Sequence, residues 1–276
     1  MPITLYPNAK VNLGLRVLGK RPDGYHDIDT VFLPVVGLHD VLTLHLLPGE
    51  PACTLEVGGG VDCGSEGDNL IVRAYELLRP YVPPAVRVEL RKQIPVGAGL
   101  GGGSSDGAFA LAAIAQRCRR VVGAGLLAEL ALELGSDCPF FLLNRPALGQ
   151  GRGERLRTVS VPIAGFWLLL VTPPVHVSTG WAFGLLEGEG SLIPVDEVIA
   201  KPLNEWQGLL LNDFQRPIAR AIPQVAEVLE RMATLAPSYY ALSGSGPSVY
   251  GLFPRCPERP ESLFSGCHVS VTRLAW

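Results

Sequence analysis

Alternating apolar and polar positions open the chain. From residue 5 to residue 18 apolar residues occupy every second position, and Lys10 and Asn12 fall on the opposite face. This period of two is typical of a β-strand with one buried face. Side chains two positions apart on a strand lie on the same side, about 6.6 Å from each other. Lys10 and Asn12 can therefore address one ligand together or form the solvated face of an edge strand.

The next segment predicts a hairpin. The sequence K-R-P-D-G at 20–24 has the Pro and Asp-Gly content of a turn, and a second apolar run covers 28–36. Tyr25 and His26 come directly after this turn. Such a pair is ordinary surface structure unless further evidence indicates a platform for a nucleobase.

The rest of the pattern mixes strands and helices in uneven order. Strands are predicted at 41–47, 86–90, 140–143, 166–172, 239–242, 249–253 and 268–274, and helices at 70–78, 108–115, 126–134, 205–211 and 217–232. Because no βα unit repeats throughout, this order favours the α+β class, with a sandwich in each half. The sequence G-Q-G-R-G-E at 149–154 is the best linker candidate, so we place a domain boundary between 152 and 153.

The segment 95–106, P-V-G-A-G-L-G-G-G-S-S-D, places five glycines between a predicted strand and a predicted helix. Glycine lets backbone N–H groups approach an anion, and the first turn of a helix points further N–H groups at it. Ser104 to Asp106 supply candidate N-caps for that helix. The segment therefore predicts a phosphate-binding loop, and a flexible linker is the alternative.

The segment matches two well-known phosphate-binding motifs poorly. It contains no lysine, so it is not a Walker A loop. Gly97, Gly99 and Gly102 match G-x-G-x-x-G, but the residues near 120 read R-R-V-V where a dinucleotide-binding fold needs an acid. A nicotinamide-dependent oxidoreductase is thus an alternative that rests on the fingerprint alone.

Composition favours a small-molecule partner. The chain has 276 residues, 23 basic against 26 acidic, and a net charge of −3, so neither nucleic acid nor a membrane surface is an expected partner. The N-terminus lacks the regions of a signal peptide and no apolar run reaches membrane-spanning length, so we expect a cytoplasmic protein. The six cysteines show no C-x-x-C spacing and are expected to be free thiols, with no metal site.

Two residue types carry candidate chemistry outside the loop. Lysine is scarce among the basic residues, so each one is a candidate for chemistry, although compositional drift explains most of the bias: Lys10, Lys20, Lys92 and Lys201. Asp137 lies two residues before Pro139, ahead of the apolar run 140–143. An aspartate there is either a turn-former or a partly buried general base.

Three separated segments resemble the signature motifs of the GHMP small-molecule kinases, in the same order. They are P-N-A-K-V-N-L at 7–13, the glycine loop at 95–106 and S-G-S-G-P-S at 243–248. The spellings K-R-P-D-G-Y-H at 20–26 and G-S-D-C-P-F at 135–140 resemble the branch whose alcohol substrate carries a cytidine diphosphate. The resemblance spans nearly the whole chain and is weakest at 50–65 and 185–200.

This resemblance implies a two-domain α+β fold and a phosphoryl transfer. We expect an ATP-binding domain like ribosomal protein S5 over 1–152, a ferredoxin-like α/β sandwich over 153–276, and an active site in the cleft between them. The implied reaction moves the γ-phosphoryl group of ATP to an alcohol, with Mg²⁺ carried by the nucleotide. Mevalonate or homoserine kinase activity, or a non-catalytic nucleotide sensor, are the alternatives. No protein partner is indicated.

The resemblance also implies roles for individual residues. Asp137 matches the catalytic base, with Lys10 close enough to keep it ionised and to offset developing charge. The substrate is implied to contact the following residues: Asn12, Tyr25, His26, Thr179, Phe183, Gly244 and Gly246. In that set Asn12 orients the substrate, Tyr25 and Phe183 stack on cytosine, and His26 hydrogen bonds to its edge. Thr179 lies on the diphosphate or sugar side.

The nucleotide is implied to bind along the glycine loop. Its residues are Pro95, Val96, Gly97, Ala98, Gly99, Leu100, Gly101, Gly102, Gly103, Ser104 and Ser105. Ser104 or Ser105 would offer a hydroxyl to phosphate or to Mg²⁺. Asn69 is a candidate for the adenine edge or, equally, a helix N-cap.

Overall fold

Helices and strands are interspersed along the whole chain, as the α+β prediction requires. The structure, a computed structural model, describes residues 1–58, 66–186 and 192–275. The strands are β1 (Ile3–Leu5), β2 (Asn8–Lys20), β3 (His26–His39), β4 (Val41–Leu47), β5 (Cys53–Gly58), β6 (Ala85–Arg91), β7 (Ala147–Gly151), β8 (Arg155–Thr158), β9 (Trp167–Thr172), β10 (Tyr239–Leu242), β11 (Val249–Phe253) and β12 (His268–Arg273). The helices are α1 (Leu70–Leu78), α2 (Gly102–Ala115), α3 (Ala124–Leu134), α4 (Cys138–Leu143), α5 (Thr179–Gly184), α6 (Val195–Ile199), α7 (Gln215–Ala221), α8 (Pro223–Thr234) and α9 (Pro260–Leu263).

The strands form three four-stranded sheets. Their orders are β1-β4-β6-β5, β2-β3-β7-β8 and β10-β11-β9-β12. The first sheet is mixed, because β5 pairs with β6 in parallel while β4 pairs with β6 antiparallel. The predicted hairpin is confirmed as β2 and β3, with Arg21 N–H donating to the Tyr25 carbonyl at 2.8 Å across its turn. The last strand, β12, lies at a sheet edge.

The chain divides into two compact units, each built from separated segments. Unit 1 comprises 1–9, 38–96 and 101–144, and unit 2 comprises 10–37, 97–100 and 145–276. This grouping differs from a single boundary between 152 and 153. The segment 149–154, interpreted above as a linker, is the end of β7 and the turn into β8, paired at Gln150 with Arg155. Its glycines serve that tight turn, with φ of 69° at Gly151 and 107° at Gly153.

In unit 1, helix α1 shows how the sequence pattern produces the packing. Its buried face consists of Ile71, Ala74, Tyr75 and Leu78, spaced at one helical period. Asn69 is its N-cap, and the Asn69 side chain accepts a hydrogen bond from Ile71 N–H at 2.9 Å. The capping role considered for Asn69 is therefore confirmed.

Two predictions in unit 1 are wrong in detail. Helix α2 begins at Gly102 with Gly101 as N-cap, so Ser104 to Asp106 lie inside the helix and do not cap it. The apolar run 140–143 belongs to helix α4, not to a strand, and Pro139 lies in its first turn, where a missing N–H costs no hydrogen bond. A run of four apolar residues does not distinguish the two structures by periodicity.

Two predicted helices of unit 2 also differ. The helix predicted at 205–211 is absent: a short 3₁₀ helix, Leu203–Glu205, is followed by turns. Gly208 adopts a left-handed φ of 91°, which interrupts a right-handed helix. The predicted helix 217–232 is split into α7 and α8. Ile222, which precedes Pro223, is extended at φ −127° and ψ 97°, as expected for a residue before proline.

The described residues include no helix that is both long and apolar enough to cross a bilayer. The cysteines at 53, 118, 138, 256 and 267 are free thiols, as predicted, and Cys63 lies outside the described residues.

Candidate active site

The polar face of β2 is buried and its groups are hydrogen-bonded to one another. Lys10 and Asn12 are 5% and 1% exposed, so the solvated-face alternative is wrong. Lys10 Nζ donates to Asn12 Oδ1 at 2.6 Å and lies 5.4 Å from the centre of the Phe32 ring. Asn12 Nδ2 donates to Thr30 Oγ1 at 3.0 Å. The predicted same-face arrangement of Lys10 and Asn12 is therefore confirmed, and Asn12 sets the direction of the Lys10 ammonium.

Two residues late in the chain, also in unit 2, fix the backbone at Asn12. Tyr250 is fully buried on β11, and its hydroxyl donates to the Asn12 carbonyl at 2.8 Å. Asn12 N–H donates to Ser243 Oγ at 3.4 Å. Residues far along the chain thus hold Lys10 and Asn12 in one conformation.

The glycine loop adopts a conformation that favours anion binding. Gly97, Gly99 and Gly101 have φ values of 66°, 74° and 71°, so left-handed residues alternate with others along the loop. Alternation of this kind curls the chain and turns successive N–H groups toward one side, a geometry found in anion-binding nests. Lys10 N–H donates to the Leu100 carbonyl at 2.9 Å, which ties the loop to β2.

The second glycine-rich loop, 243–248, contacts the first within unit 2. A Cβ atom at Gly99 would lie 2.3 Å from the Ser243 carbonyl oxygen, and Ser243 Oγ donates to the Gly99 carbonyl at 3.2 Å. Ser248 N–H donates to the Ala98 carbonyl at 3.4 Å. The two loops that the sequence singled out separately therefore pack backbone to backbone, and only glycine fits at position 99.

Helix α2 follows the glycine loop in the chain and belongs to unit 1. Its first turn lies beside the segment that bears Asp137. Helix α2 packs against α4, and the Ser104 hydroxyl acts to lower the pKa of the Cys138 thiol, so these two side chains are neighbours. Asp137 is the half-buried N-cap residue of α4. Burial, and next the charge of Asp137, raise the pKa of Cys138 to about 12, so this thiol stays neutral. Ser105 Oγ is buried and, among the described residues, lacks a hydrogen-bond partner.

A cluster that the sequence did not reveal lies beneath the start of α2. Lys92 Nζ donates to Asp40 Oδ2 at 2.5 Å and to Asp106 Oδ2 at 2.8 Å, and all three side chains are at most 4% exposed. Asp40 Oδ1 also accepts the N–H groups of Gln93 and Ile94, at 2.5 and 2.9 Å. The cluster therefore fixes the chain where β6 leads into the glycine loop. The scarcity of lysine was the one sequence signal for Lys92.

Two buried carboxylates share the single ammonium of that cluster. Burial raises the pKa of Asp106 to about 7, against the lowering effect of Lys92, and Asp40 raises it further. The pKa of Lys92 is also raised, because the two carboxylates outweigh its own burial. Burial therefore favours the neutral form of Asp106, whereas the neighbouring carboxylates keep Lys92 charged.

The residues predicted to hold a nucleobase form two aromatic contacts in unit 2. His26 stacks on Phe183, with ring centres 4.2 Å apart and planes 13° apart. Tyr25 is 50% exposed, and the guanidinium carbon of Arg152 lies 4.4 Å from its ring centre. Burial, then the charge of Lys20, lower the pKa of His26, which keeps its ring neutral at neutral pH.

The remaining predicted substrate contacts lie on the second glycine loop or beside it. Thr179 begins α5 and its hydroxyl is 3.5 Å from Ser245 Oγ. Gly244 and Gly246 adopt φ values of 56° and 80°. Their contacts with a substrate, like those of Tyr25 and Phe183, stay predictions.

The fold is shared with a known class of enzymes. Residues 69–145 match the family described as GHMP kinases N terminal domain. The crystal structure of a homoserine kinase from Cytophaga hutchinsonii superposes with a TM-score of 0.72 over 99% of this chain and 94% of that chain. At 19% identity this likeness shows the fold alone. Together with the glycine loop and the β2 motif, these matches define a small-molecule kinase of the GHMP class.

Relatives of higher sequence identity show which family within the GHMP class this chain belongs to. A 4-diphosphocytidyl-2-C-methyl-D-erythritol kinase from Azobacteroides pseudotrichonymphae is 37% identical over 262 residues, 94% of this chain and 96% of that protein. A crystal structure of 4-(cytidine 5'-diphospho)-2C-methyl-D-erythritol kinase gives a TM-score of 0.81 at 33% identity, over 99% of this chain and 100% of that one. The chain belongs to the 4-diphosphocytidyl-2-C-methyl-D-erythritol kinase family. These matches do not favour the oxidoreductase alternative or another GHMP kinase.

Proposed function

We propose that this enzyme transfers the γ-phosphoryl group of ATP to the 2-hydroxyl of 4-diphosphocytidyl-2-C-methyl-D-erythritol, giving the 2-phosphate and ADP. One observation carries the proposal beyond family membership: in unit 1 helix α2, which follows the glycine loop, packs against helix α4, whose N-cap residue is Asp137. A carboxylate and a phosphate-binding helix N-terminus are the two parts that this transfer needs.

In the proposed mechanism Asp137 accepts the proton of the attacking hydroxyl. General-base help of this kind contributes roughly 10²–10⁴-fold to the rate. Lys10, directed by Asn12, stabilises the negative charge that develops on the transferred group. The backbone N–H groups of 99–105 hold the phosphates, aided by the N-terminal end of α2.

Mg²⁺ is the metal that kinase chemistry implies. Among the described residues no group of three or more His, Cys, Asp or Glu side chains could hold a metal ion, which suits a cation that enters with the nucleotide. The buried and unpartnered Ser105 Oγ fits a ligand to that cation or to a phosphate oxygen. Bound there, Mg²⁺ would neutralise charge on the phosphates.

The test is Asp137→Asn, measured by ADP release with the cytidyl substrate and by calorimetric ATP binding. We expect turnover to fall by about 10²–10⁴-fold with ATP affinity nearly unchanged. Asp196→Asn, at an aspartate paired with Arg157 on the surface, is the matched control and should leave turnover intact. Turnover of Asp137→Asn within tenfold of the parent would exclude Asp137 as the base.

Substrate preference tests the second half of the proposal. Turnover of the cytidyl substrate is compared with turnover of mevalonate and of homoserine, at matched ATP. Preference for either simple alcohol would contradict the proposal, and no turnover with any of the three would support a nucleotide sensor. Fluorescence titration with NADH and with ATP tests the oxidoreductase alternative, and tight NADH binding without ATP binding would overturn the kinase proposal.

A further inference from the structure

Arg152 makes a contact that neither the motifs nor the family assignment explains. It lies in the turn between β7 and β8, and its guanidinium carbon is 4.4 Å from the centre of the Tyr25 ring. A guanidinium at this distance over an aromatic face makes a cation–π contact, and its planar shape also stacks on the ring.

Both partners in this contact are held by their own turns. Tyr25 N–H donates to Asp23 Oδ1 at 3.1 Å, and the Tyr25 carbonyl accepts Arg21 N–H at 2.8 Å. Arg152 N–H donates to Glu154 Oε2 at 2.6 Å. Because each backbone is fixed independently, the contact joins two ordered turns and holds a half-exposed ring in one orientation.

The two predicted stacking aromatics therefore share an arrangement. Phe183 carries the His26 ring against it, and Tyr25 carries the Arg152 guanidinium. In each case a planar nitrogen-bearing group covers part of an aromatic ring. A ring that is already oriented loses less conformational freedom when a base stacks on it, and such preorganisation raises affinity.

We propose that Arg152 is a specificity-determining residue for the nucleobase end of the substrate, acting by holding Tyr25 in the orientation that stacks on cytosine. The inference rests on the proposed function, since it takes cytidine as the recognised group. Arg152 is a positioning residue here: it acts through Tyr25 and has no part in the phosphoryl transfer.

Steady-state kinetics of Arg152→Ala, Arg152→Lys and Arg155→Ala test the proposal. For Arg152→Ala we expect KM for the cytidyl substrate to rise by about 3- to 10-fold, the range of a partly exposed cation–π contact, with kcat and KM for ATP unchanged. Arg152→Lys keeps the charge but not the planar fork, so it should restore part of the loss. Arg155 is exposed on β8 and its variant should match the parent.

A binding measurement shows whether the effect passes through Tyr25. Calorimetric titration with cytidine diphosphate is carried out on the parent, Tyr25→Ala, Arg152→Ala and the double variant. If Arg152 acts through Tyr25, the double variant loses no more affinity than Tyr25→Ala does alone. Additive losses overturn the proposal, as does an equal loss of ATP affinity in Arg152→Ala. Thermal melting of each variant shows that it is folded.

Failure of this inference and failure of the proposed function give different results. If Tyr25→Ala weakens cytidine diphosphate binding and Arg152→Ala does not, Arg152 has no such role and the proposed function stands. If the parent does not bind cytidine diphosphate and does not turn over the cytidyl substrate, the proposed function itself is overturned.

Discussion

Two lysine side chains are buried in this protein, one in each unit. Lys92 in unit 1 lies between the carboxylates of Asp40 and Asp106. Lys10 in unit 2 donates to the neutral amide of Asn12 and lies over the Phe32 ring. Their exposure is nearly equal, 4% for the side chain of Lys92 and 5% for residue Lys10. Burial alone therefore does not separate a lysine that stabilises the fold from one that acts in catalysis, the role proposed for Lys10, and variants of the two lysines are needed to do so.

The largest effect expected from this comparison is on stability. Lys92→Met would leave two buried carboxylates without their shared cation, which we expect to cost about 3–5 kcal/mol of unfolding free energy. Urea unfolding monitored by circular dichroism measures this, with Lys201→Met as the control for losing a lysine elsewhere. A loss under about 1 kcal/mol, the median for surface pairs, would show that the cluster is not a structural network.

Lys10→Met should instead reduce turnover more than stability. Removing one donor that stabilises transition-state charge costs about 10²–10³-fold in kcat, or about 2.7–4 kcal/mol. The measurement is kcat with the cytidyl substrate, alongside urea unfolding of the same variant. A variant that unfolds as easily as Lys92→Met while its folded fraction keeps full kcat would place Lys10 in the structural category.

The smallest effect is a pH dependence confined to the Lys92 cluster. The pKa of Asp106 is about 7 in the folded protein and 3.8 in the unfolded chain, so the folded state retains a proton that the unfolded chain has released. Its contribution to stability is therefore complete below pH 4 and is lost as the pH rises to 7.

Asp106→Asn has no such proton to lose. Relative to the parent, we expect this variant to gain on the order of 2 kcal/mol of unfolding free energy between pH 5 and pH 8. Urea midpoints of both proteins at the two pH values measure the change. A constant difference would mean that the carboxyl of Asp106 stays in one protonation state throughout.

The surroundings of Lys10 could be predicted in part from the sequence, whereas those of Lys92 could not. The β2 face, the glycine loop and the α2 helix follow from local pattern, since alternation and glycine content are properties of neighbouring residues. The Lys92 cluster was not predicted, because Asp40 is 52 positions away and nothing in its own segment identifies it. Such a contact is a product of the fold.

Arg152 was missed for a different reason. The glycines beside it resemble a linker in composition, and the turn that they form became visible only through its pairing with β8. The apolar run 140–143 was assigned to a strand although it forms α4. Both errors arise where a few residues fit two structures equally well and the tertiary context decides.

The packing of Gly99 against Ser243 has a practical consequence for protein engineering. The backbones of the two loops are in direct contact, since a Cβ at position 99 would lie 2.3 Å from the Ser243 carbonyl oxygen. Residues 95–106 transplanted alone into a different scaffold would thus lose the backbone contacts that hold their conformation. A successful graft would have to carry residues 243–248 as well, together with the strand that bears Lys10.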